Sequence, residues 1–157
     1  MIRTKLITLF VVGMFVLTGC SEHASVRMIE GDYSYKTSGS VIVGDSLEVT
    51  LQLPDEIGAL TIVSLHTQEN KDSVQLIFNP LNGPVYNTTG VISGNEISIV
   101  PFRRYIKVDL TEFAIEVSGE AVRHDNTLLF HWDYIGSSML LQSSLKSEDV
   151  ITFAKRN

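Results

Sequence analysis

The amino-acid sequence predicts a single all-β domain of about eight to ten antiparallel strands, and three observations support this prediction. Apolar and polar residues alternate with a period of two in several segments, most clearly in residues 45–53 and 127–134. Clusters of turn-forming residues separate these segments at intervals of about 8–12 residues, which is typical of a barrel or a sandwich. A helical period is weak throughout, and residues 139–147 are the best helical candidate.

Turn signals divide the first part of the domain into five strands. Gly44-Asp45 ends the first strand, and the polar segments 68–72 and 79–84 flank the fourth. Gly94-Asn95 suits the centre of a two-residue hairpin after the fifth strand, because both residues tolerate positive φ. The predicted strands cover residues 32–43, 46–53, 58–66, 73–78 and 85–92. In the second of them, the face expected to be buried carries Leu47, Val49, Leu51 and Leu53.

The second part of the domain shows the same alternation. Its predicted strands cover residues 96–101, 105–118 (continuous or broken), 120–136 (two hairpin arms around 125–126) and 149–155. Short loops between sequential hairpins favour an up-and-down barrel, which also removes exposed strand edges. A two-sheet β-sandwich with a similar number of strands is the alternative.

The N-terminal segment has the layout of an export signal. Arg3 and Lys5 precede an uncharged apolar stretch, residues 6–17, which is too short for a permanent membrane span. Residues 1–19 are therefore predicted to be a cleaved signal peptide and to lie outside the fold. Residues 20–30 are predicted to be an attachment point and a short tether, and residues 31–157 the β-domain.

The end of this segment resembles the lipobox of bacterial lipoproteins, because Leu17-Thr18-Gly19-Cys20 matches its pattern position by position. The resemblance implies cleavage before Cys20, lipid on the Cys20 sulfur and a membrane as partner. Cys20 is the only cysteine, so lipidation also accounts for the absence of a disulfide. The sorting rule of Gram-negative lipoproteins implies the outer membrane, because Ser21 follows the cysteine. An ordinary secretory signal is the alternative.

The charge of the chain argues against nucleic acid as a partner. The formal net charge is −6, and cleavage before Cys20 removes Arg3 and Lys5, which leaves about −8. An acidic protein is a poor match for phosphate backbones and for anionic headgroups. Membrane affinity is therefore expected from the lipid and not from a basic patch.

A second resemblance concerns the β-domain. It opens with Gly31-Asp32-Tyr33 and later contains 117–120 (Val-Ser-Gly-Glu) and 125–128 (Asp-Asn-Thr-Leu), and it is similar in layout to calycin-like (lipocalin-like) lipoproteins of Gram-negative gut bacteria. In lipocalins a Gly-x-Trp opens the first strand, and here Tyr33 replaces the Trp. The sequence shows no matching arginine motif near its end. The resemblance implies a barrel and assigns no ligand residue.

Candidate site residues are few. Phe130, Trp132 and Tyr134 share one strand face and are predicted either to be core or to line a ligand cavity. In Arg103-Arg104, either the pair marks a bulge after Pro101 or one arginine points inward and needs a carboxylate or a ligand anion. No metal site is expected from His131 and Asp133, since His66 is remote and His124 with Asp125 lies at a turn. No catalytic pair is expected from Asp55-Glu56 in a turn after Pro54, or from the outward Glu112 and Glu116.

These observations predict a non-catalytic, lipid-anchored module of the cell envelope, with no cofactor and no catalytic residue. Its partner is expected to be an envelope protein, a glycan or a small apolar ligand. Two alternatives remain open at the level of the sequence. One is a calycin-type carrier of a small apolar ligand, and the other is a glycan-acting enzyme, which needs two carboxylates facing each other across a groove.

Overall fold

The computed structural model describes residues 26, 28–65, 72–138, 140 and 142–157. Nine strands make up almost all of this part of the chain. They are β1 (Gly31–Val43), β2 (Val49–Gln52), β3 (Glu56–Ser64), β4 (Ser73–Pro80), β5 (Tyr86–Ser93), β6 (Glu96–Val108), β7 (Thr111–His124), β8 (Thr127–Ser138) and β9 (Ser143–Arg156). No helix of membrane-spanning length and hydropathy occurs among the described residues.

The strands form one closed antiparallel barrel. From β3 to β9 each strand pairs with the next, β1 pairs with β3, and β9 returns to pair with β1 along almost its whole length. Eight strands therefore close the barrel, and β2 is an extra short strand on the second half of β1. This confirms the all-β prediction and the barrel, and it excludes the two-sheet sandwich.

Two predicted elements are wrong. The segment 139–147 was the best helical candidate, but β9 begins at Ser143, and Leu145 fits between Val43 of β1 and Gly136 of β8. The break predicted before residue 105 is absent, because β6 continues through a bulge between Ile99 and Phe102. A bulge accommodates Pro101, which has no N–H for a ladder hydrogen bond. The chain turns instead at 109–110, where Asp109 adopts positive φ.

Two glycines allow adjacent long strands to approach closely. Gly39 in β1 and Gly119 in β7 have φ of 150° and 154°, which residues with a side chain rarely adopt. A Cβ at Gly39 would lie 1.9 Å from the carbonyl oxygen of Asp149, and one at Gly119 would lie 2.1 Å from that of His131. These positions therefore need glycine for both conformation and space.

The core fills the middle of the barrel around Phe78. The Phe78 ring stacks on Tyr86 with centroids 4.9 Å apart, and it meets Tyr35, Phe130 and Trp132 edge-on. Inward residues of all eight barrel strands complete the core. The barrel is therefore a packed structure at this level and not a continuous tube.

One end of the barrel is closed by the segment that precedes β1. Tyr33 Oη donates to the Ile29 carbonyl oxygen at 2.7 Å, and Arg156 donates to the carbonyl oxygens of Met28 and Glu30. The guanidinium of Arg156 also lies 6.0 Å from the Tyr33 ring centroid. Arg156 thus joins the last strand to the first, although no arginine motif is apparent in the sequence.

The boundary predicted for the tether needs correction. Val26 and Ile29 fall within the predicted tether, yet both side chains are buried in the core. The described domain therefore begins before residue 31.

The prediction for β2 is also correct only in part, since Leu51 and Leu53 pack on the core while Leu47 and Val49 are exposed.

Candidate ligand-binding cavity

The opposite end of the barrel is open and holds a cavity of about 760 Å³. The loop between β2 and β3, the loop between β4 and β5, and the adjoining parts of β6, β7 and β8 surround it. Its volume lies within the range of small-molecule sites in proteins. The lining residues include Leu53, Ile57, Leu81, Val85, Tyr86 and Ile106 on the apolar side and Asp55, Glu56, Arg104, Lys107, Glu112 and Tyr134 on the polar side.

A carboxylate and a guanidinium form the polar floor of the cavity. Arg104 Nη2 donates to Glu56 Oε2 at 2.8 Å, and both side chains are only about one-fifth exposed, at 19% and 21%. Glu56 Oε1 accepts hydrogen bonds from the hydroxyls of Tyr86 at 2.7 Å and Tyr35 at 3.1 Å. Three donors thus hold the carboxylate, as a charge that is largely removed from water requires.

Strand alternation explains how these four residues meet. Glu56 and Tyr86 are the first residues of β3 and β5, which begin at the open end. Tyr35 and Arg104 face inward from β1 and β6, two strands that run toward the same opening. Arg104 follows inward-facing Phe102 by two positions, beyond the bulge of β6. Its guanidinium lies 4.1 Å from the Tyr86 ring centroid, so a cation–π contact adds to the ion pair.

Burial and charge keep the tyrosines of the floor protonated. Burial is the main cause that raises the pKa of Tyr86 well above its usual value and that of Tyr35 as well, and Glu56 raises both further. Burial lowers the pKa of Arg104, but Tyr86 and Glu56 outweigh it, so the pKa lies above its usual value. The tyrosines therefore remain donors and the arginine remains a cation across physiological pH.

Tyr134 differs from the other two tyrosines. The residue is only 5% exposed and lines the cavity, but its hydroxyl has no hydrogen-bond partner among the described residues. Burial raises its pKa to about 12, with Arg104 lowering it and Glu56 raising it. The cavity therefore presents one O–H group that makes no hydrogen bond to another described residue and is accessible from the cavity.

Two other pairs of oppositely charged residues lie at the opening. Lys36 Nζ lies 2.7 Å from Asp55 Oδ2. Lys107 of β6 stands directly opposite Glu112 of β7 in the strand register, a favourable cross-strand position for opposite charges. Of the two lining cations, Arg104 is therefore held in a buried ion pair, whereas Lys107 makes no ion pair with a described carboxylate.

The rim of the opening is apolar at the tips of its loops. Leu47, Leu81, Leu110 and Leu140 are the most exposed large apolar residues described, at 85%, 76%, 91% and 87%. Each lies in a different loop, and all four loops are at the open end. An apolar molecule approaching the cavity therefore meets apolar side chains first.

The aromatic stripe predicted from β8 is divided between the core and the cavity. Phe130 and Trp132 stack on each other beneath the cavity, and Trp132 Nε1 donates to Thr152 Oγ1 at 2.8 Å. Of the three, Tyr134 is the one that lines the cavity. Phe130 and Trp132 are therefore core residues, while Tyr134 borders the cavity.

The other candidates have separate positions. Arg103 points outward, 3.9 Å from Glu116, whereas Arg104 points inward, so the arginine pair both follows a bulge and supplies an inward cation. His131 and Asp133 lie on the exposed face of β8. Among the described residues no three His, Cys, Asp or Glu side chains are grouped to hold a metal ion. His66 and Cys20 lie outside the described residues.

The sequence analysis missed Glu56, Tyr35 and Tyr86 as site residues. It placed Glu56 in a turn, but Glu56 is the first residue of β3 and faces the interior. A usable signal was the alternation of Glu56, Gly58, Leu60 and Ile62, which puts the carboxylate on the buried face of its strand.

Comparisons of the chain with protein-family models, curated proteins and solved structures find no match.

Alkaline pH is expected to weaken the folded state from about pH 10 upward. The pKa values of Tyr33, Tyr35, Tyr86 and Tyr134 are raised in the folded chain from 10.0, so between about pH 10 and pH 12 the unfolded chain releases protons that the folded chain keeps. The free energy of unfolding should be insensitive to these groups below that range and fall within it. Urea titrations followed by Trp132 fluorescence measure this, and Tyr134→Phe should reduce the slope by about one proton.

Proposed function

We propose that this chain is a non-catalytic, lipid-anchored binding module of the cell envelope that takes a small ligand into the open end of its barrel. The observation that carries the proposal is the cavity of about 760 Å³, with its apolar walls and the buried polar floor around Arg104. Apolar walls with a few fixed polar groups are typical of small-molecule sites.

Binding is favoured over catalysis by the state of the carboxylates. Glu56 already accepts three hydrogen bonds and is paired with a cation, so its oxygens are engaged by the protein and not directed at a substrate. Asp55 is paired with Lys36 and about half exposed, in solvent that screens its charge. A glycan-acting hydrolase needs one carboxylate with a raised pKa facing a second one across the substrate, and these contacts do not favour it.

The position of the cavity favours a binding module over a carrier that encloses its ligand. A carrier of that kind needs empty space behind Phe130 and Trp132, but these side chains pack against Phe78. The space lies above them, at the rim. The ligand is therefore proposed to remain partly open to solvent or to a partner.

Fluorescence titration with the uncharged apolar probe N-phenyl-1-naphthylamine tests the proposal. The chain from residue 20 with Cys20→Ser is suitable, because every described strand lies within it. We expect saturable binding with one site, and we expect Val85→Arg at the cavity wall to weaken it at least about tenfold. Val91→Arg is the control, since Val91 is an exposed residue of β5 away from the cavity. Absence of saturable binding, or equal loss in both variants, contradicts the proposal.

The anchor is a separate part of the proposal, supported by the lipobox resemblance at Cys20. Two or more acyl chains hold a protein stably on a membrane, whereas one holds it marginally. We expect the wild-type chain in the membrane fraction, with outer-membrane markers, and Cys20→Ser in the soluble fraction. Equal solubility of the two proteins contradicts the anchor, and co-fractionation with inner-membrane markers contradicts the proposed membrane.

A further inference from the structure

The Tyr134 side chain lines the cavity, and the residue as a whole is only 5% exposed. Its hydroxyl makes no hydrogen bond to another described residue, yet it is not one of the fully buried polar atoms without a partner, so water in the cavity reaches it. The hydroxyl is therefore free to donate to an acceptor that enters the cavity. A ligand that carries an acceptor to this depth can replace cavity water and accept a hydrogen bond from the Tyr134 hydroxyl.

The charges around Tyr134 decide what kind of acceptor fits. Arg104 is the cation of the floor, and the Glu56 carboxylate 2.8 Å away already matches it. A carboxylate ligand that reaches the floor would leave its hydration shell and meet Arg104, which is already paired, because Lys107, the other cation of the lining, is an exposed residue. It would also lie close to the negative charge of Glu56. A neutral acceptor avoids both costs.

The walls above the floor define the rest of the ligand. Leu53 and Ile106 line the cavity as partly or fully buried residues, and the exposed side chains of Ile57, Leu81 and Val85 line it at the rim. These side chains suit an alkyl or similarly apolar body, and they provide no donor for a sugar ring.

Building on the proposed function, we propose that the cavity selects uncharged amphiphiles. The ligand has an apolar body along the cavity walls and a neutral acceptor, such as an alcohol, ester or amide, that accepts a hydrogen bond from Tyr134. The Arg104–Glu56 pair discriminates against a carboxylate of the same chain length, because its charges are already balanced.

Chain-matched ligands test this selectivity. Decanamide and decanoate compete with N-phenyl-1-naphthylamine at a pH of about 8, where the decanoate is ionised. We expect decanamide to displace the probe at a concentration at least about tenfold lower. Tyr134→Phe should weaken decanamide about three- to tenfold relative to the probe, as expected for the loss of one hydrogen bond.

Glu56→Gln provides the decisive variant, because glutamine keeps an acceptor for Tyr35 and Tyr86 while leaving Arg104 unmatched. We expect the preference to move toward decanoate by about tenfold or more. Trp132 fluorescence and circular dichroism verify folding, and Tyr134→Phe still decides the question if Glu56→Gln does not fold.

The outcomes separate this inference from the proposed function. Equal or tighter binding of decanoate by the wild type overturns the selectivity, and so does an unchanged decanamide-to-probe ratio in Tyr134→Phe. An unchanged preference in folded Glu56→Gln overturns the role of the charge pair. If the wild type binds none of the three compounds, N-phenyl-1-naphthylamine, decanamide and decanoate, the proposed function is wrong, and the proposed selectivity is wrong with it.

Discussion

Phe78→Ala is expected to lower the free energy of unfolding by about 3–5 kcal/mol, the largest effect of any single substitution considered for this chain. Phe78 is fully buried, and its ring contacts Tyr35, Tyr86, Phe130 and Trp132. Truncation removes the apolar surface of the ring and leaves a cavity at the centre of the aromatic cluster. Because the surrounding rings belong to three different strands, they cannot close the cavity by moving one element.

The matched control is Phe153→Ala on β9, since Phe153 is 50% exposed on the outer face of the barrel. We expect a cost of about 1 kcal/mol or less there. Urea denaturation of both variants, followed by Trp132 fluorescence, gives the two free energies. Equal costs for Phe78→Ala and Phe153→Ala would contradict the position of Phe78 at the centre of the core.

Arg104→Met is expected to lower the free energy of unfolding by about 2–3 kcal/mol at neutral pH. Removing one partner of a buried ion pair leaves the other charge without compensation, at a cost of about 3–5 kcal/mol in a dry interior. Here the cost should be smaller, because the Glu56 side chain is 21% exposed at the cavity floor and keeps its hydrogen bonds to two tyrosines.

The control for Arg104→Met is an exposed ion pair of the same length. Lys146 Nζ and Glu48 Oε1 are also 2.8 Å apart, but both side chains are 54% exposed, so Lys146→Met should cost about 0.5 kcal/mol or less. The double variant Arg104→Met/Glu56→Gln should recover at least half of the loss, since glutamine is neutral and still accepts from the tyrosines. A loss in Arg104→Met no larger than that in Lys146→Met would indicate that the floor pair is effectively solvated.

The sequence was sufficient to predict the strands because strand alternation is a local property. Residues 73–78 and 127–134 face inward and outward as their pattern predicts. The closure of the barrel depends instead on β1 pairing with β9, as between Tyr35 and Ala154, and no local pattern specifies such a pairing. The barrel was favoured over the sandwich because of the short loops between sequential hairpins and because a barrel leaves fewer edges.

The site was predictable only in its separate parts. The sequence analysis stated that an inward arginine at 103–104 would need a carboxylate, and the structure identifies the pair as Arg104 and Glu56. Its partner was not predictable, because β3 and β6 are not adjacent in the barrel and meet only across the interior. The best helical candidate, 139–147, overlaps β9 for a related reason, since β9 is fixed by its neighbours on both edges and not by its own propensity.

The two ends of the barrel differ, because one is closed and the other holds the cavity. The chain enters at the end closed by Val26, Ile29 and Arg156, so a lipid on Cys20 would anchor the protein from that side. Five residues separate Cys20 from Val26, a span of about 20 Å when extended. The proposed cavity would then face away from the anchoring membrane, toward the surrounding compartment.

The central claim is that a ligand binds at the open end of the barrel, above the Arg104–Glu56 pair. A ¹⁵N–¹H NMR titration of the chain from residue 20, carrying Cys20→Ser, with decanamide tests this claim most directly. The account predicts saturable amide shifts that are largest at the cavity, in the residues around Glu56, Tyr86, Arg104 and Tyr134, with little change near Tyr33 and Arg156. Shifts confined to the closed end or the outer face, or no saturable shifts at all, would contradict it.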